Sequence, residues 1–174
     1  PAYKPPVVLQ TLLKSLLEDT FVNRVIIVDD ATPKDDESYQ TLERAMNIAD
    51  KRLHVIRNPR NLMCAASVNE GLRFEAAFQD QSEYILVTND DTLFDERTIQ
   101  ELVKKIEHNP HLGSVCAQAR LANARKNFLT RLQRLEYRMF NVVRKADEGF
   151  LYGPLIMPVM TVMFRREVIF QTGG

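Results

Sequence analysis

The chain has 174 residues, enough for one α/β domain with a sizeable buried core. Its 23 Lys and Arg balance 23 Asp and Glu, so nothing in the overall charge points to nucleic acid. No apolar run is long enough to span a bilayer: the longest, Leu151 to Phe164, is broken by Gly153, Pro154 and Pro158. Cys64 and Cys116 are isolated, match no redox or zinc spacing, and fit a reducing compartment. The chain opens at Pro1 and stops at Gly173-Gly174, and reads as an excerpt of something longer.

In chain order, Pro1-Ala2-Tyr3 reads as the tail of a strand. Pro5 and Pro6 then set a first helical turn, where a missing N–H costs nothing. Val8, Leu9, Leu12, Leu13, Leu16 and Leu17 repeat at helical spacing as one broad apolar stripe. Arg24 to Val28 reads as a buried strand ending in the pair Asp29-Asp30. After a turn through Asp36, a helix is predicted with Tyr39, Leu42, Met46 and Ala49 inward. Leu53 to Ile56 is a third strand, leaving through Arg57 to Asn61, and a helix rich in small residues runs from about Cys64 to Phe78. Tyr84 to Thr88 has the apolar, β-branched character of a buried parallel strand, and it too ends in paired carboxylates, Asp90-Asp91.

Beyond that turn, Asp95 is a good N-cap for a helix carrying Ile99, Leu102, Val103 and Ile106, which Asn109-Pro110 ends. Gly113 to Ala117 is a short strand. From Arg120 to Lys145 there are eight basic residues against the single acid Glu136. Within that stretch Phe128, Leu132, Leu135, Met139 and Val142 make one helical face, and Arg131, Arg134 and Arg138 another. Such a helix suits an anionic membrane surface, a phosphate group, or merely solvent. Leu155 to Arg166 reads as a strand entering a short helix. The alternation of strand and helix argues an α/β fold with a mostly parallel sheet covered on both faces.

Two strands ending in Asp-Asp are the informative coincidence. In open α/β sheets ligands bind at the carboxyl ends of the strands, and two acidic ends suggest one shared crevice. One pair suits ribose hydroxyls or a base N–H; the other suits a divalent metal that also takes diphosphate oxygens. The glycine-rich phosphate loops of dinucleotide and P-loop folds are absent, which leaves a metal to hold phosphate. His108 and His111 straddle a helix end and do not read as a metal pair, and His54 reads as packed.

Taken together, Pro1-Ala2-Tyr3, Val28-Asp29-Asp30, the N-x-x-x-[AG]-x-[AS]-x-N-x-G pattern from Asn61 to Gly71, and Asn89-Asp90-Asp91-Thr92 resemble family 2 glycosyltransferases of GT-A (Rossmann-like) fold. Phe164 to Val168, followed by Gly173-Gly174, resembles that family's segment just before its acceptor half. Leu132 to Asn141, with Leu135-Glu136-Tyr137, is similar to the membrane polysaccharide synthases of the hyaluronan, chitin and poly-N-acetylglucosamine type. The Asn-Asp-Asp-Thr end is closer to rhamnosyltransferase-like members.

The resemblance implies a single domain over 1–174, with 1–118 as the nucleotide-binding half and 119–174 as a basic helix and the start of the acceptor side. It places Tyr3 against a nucleotide base, Asp29 or Asp30 on uracil or ribose, and Asn61 in the same set. Asp91, with Asp90 beside it near ribose or diphosphate, would hold Mn²⁺ or Mg²⁺. The implied reaction is inverting transfer from a nucleotide-diphosphate sugar, a UDP-sugar first, to a glycan or lipid-linked acceptor. Its implied place is the cytoplasm, at the cytoplasmic face of a membrane, in polysaccharide biosynthesis. The family's base falls beyond Gly174, so no catalytic residue is assigned; Asp147 and Glu148 are the acids within the chain to consider. Asn89, Ala31 and Met63 replace an Asp and two Gly of the family pattern, and Pro158 to Met160 lacks its glycines. A non-catalytic nucleotide-sugar-binding module and a sugar nucleotidyltransferase are the alternatives.

Overall fold

The computed structural model describes the backbone of residues 1–151 and 161–173, and the side chains of 1–143 and 161–173. In order the elements are α1 (Val8–Glu18), β1 (Val25–Asp29), α2 (Tyr39–Met46), β2 (Leu53–Arg57), α3 (Met63–Ala76) and β3 (Tyr84–Thr88). They continue with α4 (Thr98–His108), β4 (Ser114–Cys116), α5 (Phe128–Leu151), β5 (Thr161–Arg165) and α6 (Arg166–Gln171). Pro158 to Met160 lies outside the described residues, as do the side chains of Asp147 and Glu148.

β1 and β2 pair in parallel, from Val25 opposite Leu53 to Asp29 opposite Arg57. On the other edge of β1, Ala2 makes a parallel bridge to Asp29: its N–H donates to the Val28 carbonyl at 2.8 Å, and its carbonyl accepts from Asp30 N–H at 2.7 Å. The expected strand tail at Pro1 to Tyr3 is therefore one bridge long. β5 lies between β3 and β4 and runs antiparallel to both, which leaves β3 and β4 parallel to each other. The expectation of a buried parallel β3 is corrected here. β3 is only half-buried, and its one strand partner among the described residues is the antiparallel β5. Strand–helix alternation carries no sign of that reversal, because β5 reaches the sheet only after the long α5.

One apolar core holds the helices to the sheets. Leu9, Leu12, Leu13 and Leu16 of α1 meet Val25 and Ile27 of β1, Leu42 and Ala45 of α2, and Ile99, Leu102 and Ile106 of α4. Leu13, Leu42 and Ile106 are at most 1% exposed; each such side chain contributes about 1.5–3 kcal/mol by leaving water. Two details of the sequence reading change. In α2 the inner stripe is Thr41, Leu42 and Ala45; Met46 falls one residue round and is exposed, and Ala49 lies past the helix end. Asp95 is not the N-cap of α4: the helix begins at Thr98, whose N–H is taken by the Asp95 backbone carbonyl at 2.9 Å, so Asp95 belongs to the preceding turn. α5 has a reciprocal cap that was not foreseen. Asn127 Oδ1 accepts from Thr130 N–H at 2.9 Å, and Thr130 Oγ1 accepts from Asn127 N–H at 3.0 Å.

At the amino ends of β1 and β3 a buried ion cluster ties the parts together. Glu75 of α3 faces Arg24 at 3.6 Å and is hydrogen-bonded by Arg166 of α6. Arg24 also stacks over Phe78, its guanidinium carbon 3.7 Å from the ring centre, and pairs with Asp80 at 2.7 Å. Arg24 and Glu75 side chains are 7% and 9% exposed. Removing the one buried anion would leave two guanidinium groups without it in a low-dielectric site. Glu75→Gln is thus expected to cost about 3–5 kcal/mol in urea unfolding; a loss under 1 kcal/mol would show that water already shares these charges.

Candidate functional site

The site is built where β1, the segment before α1, and the loop after β2 meet. Asp29 closes β1 with no exposed surface. Its Oδ1 accepts from Thr32 N–H at 2.9 Å and its Oδ2 from Arg57 Nη1 at 2.5 Å, while Arg57 Nη2 reaches the Thr32 carbonyl at 2.6 Å. Arg57 thereby clamps the turn after β1 against the end of β2, with Tyr39 under its guanidinium at 5.4 Å.

Asp30 is 4% exposed and more fully bonded. Oδ1 accepts from Asn58 Nδ2 and from Leu62 N–H, both at 2.8 Å, and Oδ2 accepts from Met63 N–H at 2.9 Å. Asn58 Nδ2 also donates to Ser67 Oγ at 3.0 Å. α3 begins at Met63, so Asp30 serves from a distant strand as the anionic cap of that helix, filling amides no helical carbonyl can reach. Burial alone would push its carboxyl up, but the donors at Leu62, Asn58, Ser67 and Met63 outweigh it and hold the pKa below the ordinary range.

This arrangement explains the pattern from Asn61 to Gly71. Ser67 is fully buried beside Asn58. A Cβ on Gly71 would lie 3.1 Å from Val28 Cγ2, so the glycine lets α3 pack closely on β1. Asn61 is exposed and turns its own loop, its Oδ1 accepting from Met63 N–H at 3.1 Å. Asn58, Arg57 and Thr32 are participants that the sequence reading missed, and Ser67 stood in it only as a position of the pattern from Asn61 to Gly71. Their signal was one of spacing only, polar residues standing just past a strand or one helical turn inside α3.

Three non-glycine residues have φ in the left-handed region: Lys4 at 50°, Ala31 at 63° and Met63 at 70°. All three surround the Asp29–Asp30 pair. Lys4 N–H donates to Thr32 Oγ1 at 3.0 Å, and its Nζ pairs with Asp36 at 2.6 Å. That pairing, with bonds from Ser38, pulls the Asp36 carboxyl down to about 2. Ala31 and Met63 are the two positions where the family pattern has glycine, and their backbone angles give the reason. Strain of this kind gathers at working sites.

The second acidic end comes close to the first. Asp90 is half-buried and Asp91 exposed, and neither makes an ion pair among the described residues. Burial, then the neighbouring Asp91 charge, raises the Asp90 carboxyl. Pro1 lies within electrostatic reach of Asp90, Cys64 and Asp30, so both acidic ends border the start of the Ala2 bridge. Tyr3, nearly half exposed, stands just past the Ala2 bridge at the rim. Adjacent, unpaired carboxylates on half-dry ground are a donor set that suits a hard cation. Among the described residues no three His, Cys, Asp or Glu converge on one point, so such a cation would need oxygens from a bound ligand as well. His54 packs between Phe74 and Phe78, with ring centres at 5.6 and 5.1 Å.

Relief of the strain is measurable. Ala31→Gly and Met63→Gly are each expected to raise stability by about 1 kcal/mol, the left-handed penalty less the extra freedom of glycine in the unfolded chain. A lower urea midpoint for both would mean that these angles carry no strain.

Comparison with known proteins agrees with this geometry. The model of Glycosyl transferase family 2 matches residues 1–170. Over 83 residues, 48% of this chain, it is 29% identical to chitin synthase Vb of Fusarium oxysporum and to chitin synthase 5 of Cryptococcus neoformans. The chain spans only 5% and 4% of the length of those relatives. Among solved structures, the mannosyltransferase PcManGT of Pyrobaculum calidifontis, in complex with GDP-Man and Mn²⁺, superposes with a TM-score of 0.71 at 20% identity. That match covers 100% of this chain and 45% of the other, and supports the GT-A fold. With a family model matched over nearly its whole length, the chain belongs to glycosyl transferase family 2.

Proposed function

We propose that the chain binds a nucleotide-diphosphate sugar with a divalent metal and transfers the sugar, with inversion, to a glycan or lipid-linked acceptor at the cytoplasmic face of a membrane. The observation that carries this reading is the nearness of two acidic strand ends, one hydrogen-bonded within the protein and one without an ion pair among the described residues. Asp29 and Asp30 are already engaged, so their part is to fix the turn at Thr32 and the start of α3. A nucleoside would meet the rim they shape, at Tyr3, Asn61 and the edge of Asp30. Asp91 and Asp90 would hold Mn²⁺ or Mg²⁺; bound there, the ion offsets charge on the leaving diphosphate. A carboxylate base would take the acceptor proton, and no described residue is assigned to it. The structural relative holds a guanosine diphosphate sugar and the synthase resemblance favours a uridine one, so both bases are tested.

Calorimetry of the chain with UDP, GDP and UMP, with and without Mn²⁺, tests the assignment. Asp91→Asn is expected to remove the Mn²⁺-dependent gain in diphosphate affinity, roughly tenfold or more for a lost charge-assisted ligand, and to leave UMP binding unchanged. Equal UDP and GDP affinity in variant and parent, with Mn²⁺ present, would place the metal elsewhere.

A further inference from the structure

α5 is held to the body by its polar side. Thr130 is buried at its start, and Asn141 Nδ2 donates to the Ala119 carbonyl at 3.3 Å. Thr130 and Asn141 are eleven residues apart and share one face. Phe128, Leu132, Leu135, Met139 and Val142 repeat at spacings of three and four, and Met139, two residues from Asn141, lies on the opposite side. The apolar stripe therefore faces away from the rest of the described residues: Phe128 is 76% exposed, Met139 62% and Val142 68%. An ordinary surface helix does the reverse.

Beside this stripe, a cleft of about 710 Å³ lies between residues 118–126 and α5. Arg120, Arg125, Lys126, Arg134 and Arg138 line it, and among the described residues no carboxylate does. None of these five cations makes an ion pair among the described residues. Five unneutralised cations facing one cleft repel each other unless an anion joins them. A patch that is apolar along one side and cationic along the next matches the acyl-to-headgroup boundary of an anionic bilayer. Among the described residues no helix is long and apolar enough to cross a membrane, so α5 would lie on the surface.

We propose that α5 and the cleft beside it form a docking face for an anionic phospholipid surface, with the outward stripe in the acyl boundary and the cleft cations on headgroup phosphates. This rests on the membrane side of the reading above and not on its donor side. The test is flotation of the full chain with phosphatidylcholine vesicles, with and without phosphatidylglycerol, at low and high salt. Binding is expected only with phosphatidylglycerol, and should fall in high salt through screening. Arg134→Glu with Arg138→Glu, and separately Leu135→Asp with Met139→Asp, should each weaken it about tenfold or more. All four side chains are exposed or line the cleft, and unchanged thermal melting confirms that the variants are folded. Absence of binding at low salt, or binding unaffected by either pair, would overturn the proposal. So would displacement of the arginines' role by free inorganic diphosphate without vesicle binding, or a dimer that Leu135→Asp with Met139→Asp abolishes while vesicles stay unbound. Nucleotide titrations on the same samples keep the donor reading separate: their failure bears on sugar transfer, and the vesicle result bears on docking.

Discussion

Asp30 is a nearly dry carboxylate, and the structure around it is arranged to make that state tolerable. A buried anion without partners would take up a proton or unfold its surroundings. Here the Leu62 and Met63 amides and the Asn58 side chain converge on it and keep it ionised. The same bonds fix where α3 starts, how the loop from Asn58 to Met63 leaves β2, and how closely α3 approaches β1 through Gly71. Asp29 does the equivalent work on the other side of the strand end, through Thr32 and Arg57. Removing either acid would loosen the rim rather than simply delete a ligand contact.

That rigidity has a local cost, seen in the left-handed backbone at Lys4, Ala31 and Met63. Glycine would adopt those angles freely; alanine and methionine adopt them because the hydrogen bonds around Asp29 and Asp30 leave no alternative. The Glu75 cluster holds the far ends of the strands with buried charge of its own. Between these two polar ends the apolar core under α1, α2 and α4 supplies most of the cohesion. Asp90 and Asp91, by contrast, make no ion pair with a Lys, Arg or His side chain among the described residues.

Much of this was legible from residue types. The strands at Val25, Leu53 and Tyr84, the α1 stripe and the two Asp-Asp ends follow from period and β-branching, and the ordered motifs led to the family. What was not legible depends on distance in sequence. The antiparallel β5 lies beyond α5, and no local pattern announces its direction. Asp30 bonds to residues 28 to 33 positions away, so its part in capping α3 has no signal in the neighbouring sequence. Glycine replacements at Ala31 and Met63 read as departures, and only the backbone angles reveal that the conformation was kept and the residue changed. The face of α5 was read correctly as apolar, but periodicity cannot tell which way a face points.

On the function proposed above, the loop at Leu62–Met63, the Thr32 turn and the Asp90–Asp91 end would form one nucleotide-diphosphate site. Amide chemical shifts of the isotope-labelled chain during a UDP titration with Mg²⁺ test it most directly. Thr32, Leu62, Met63, Asp90 and Asp91 are expected to shift together with one apparent dissociation constant, while the amides of α4 stay still. Shifts confined to one acidic end, or two unequal dissociation constants for the two ends, would contradict it.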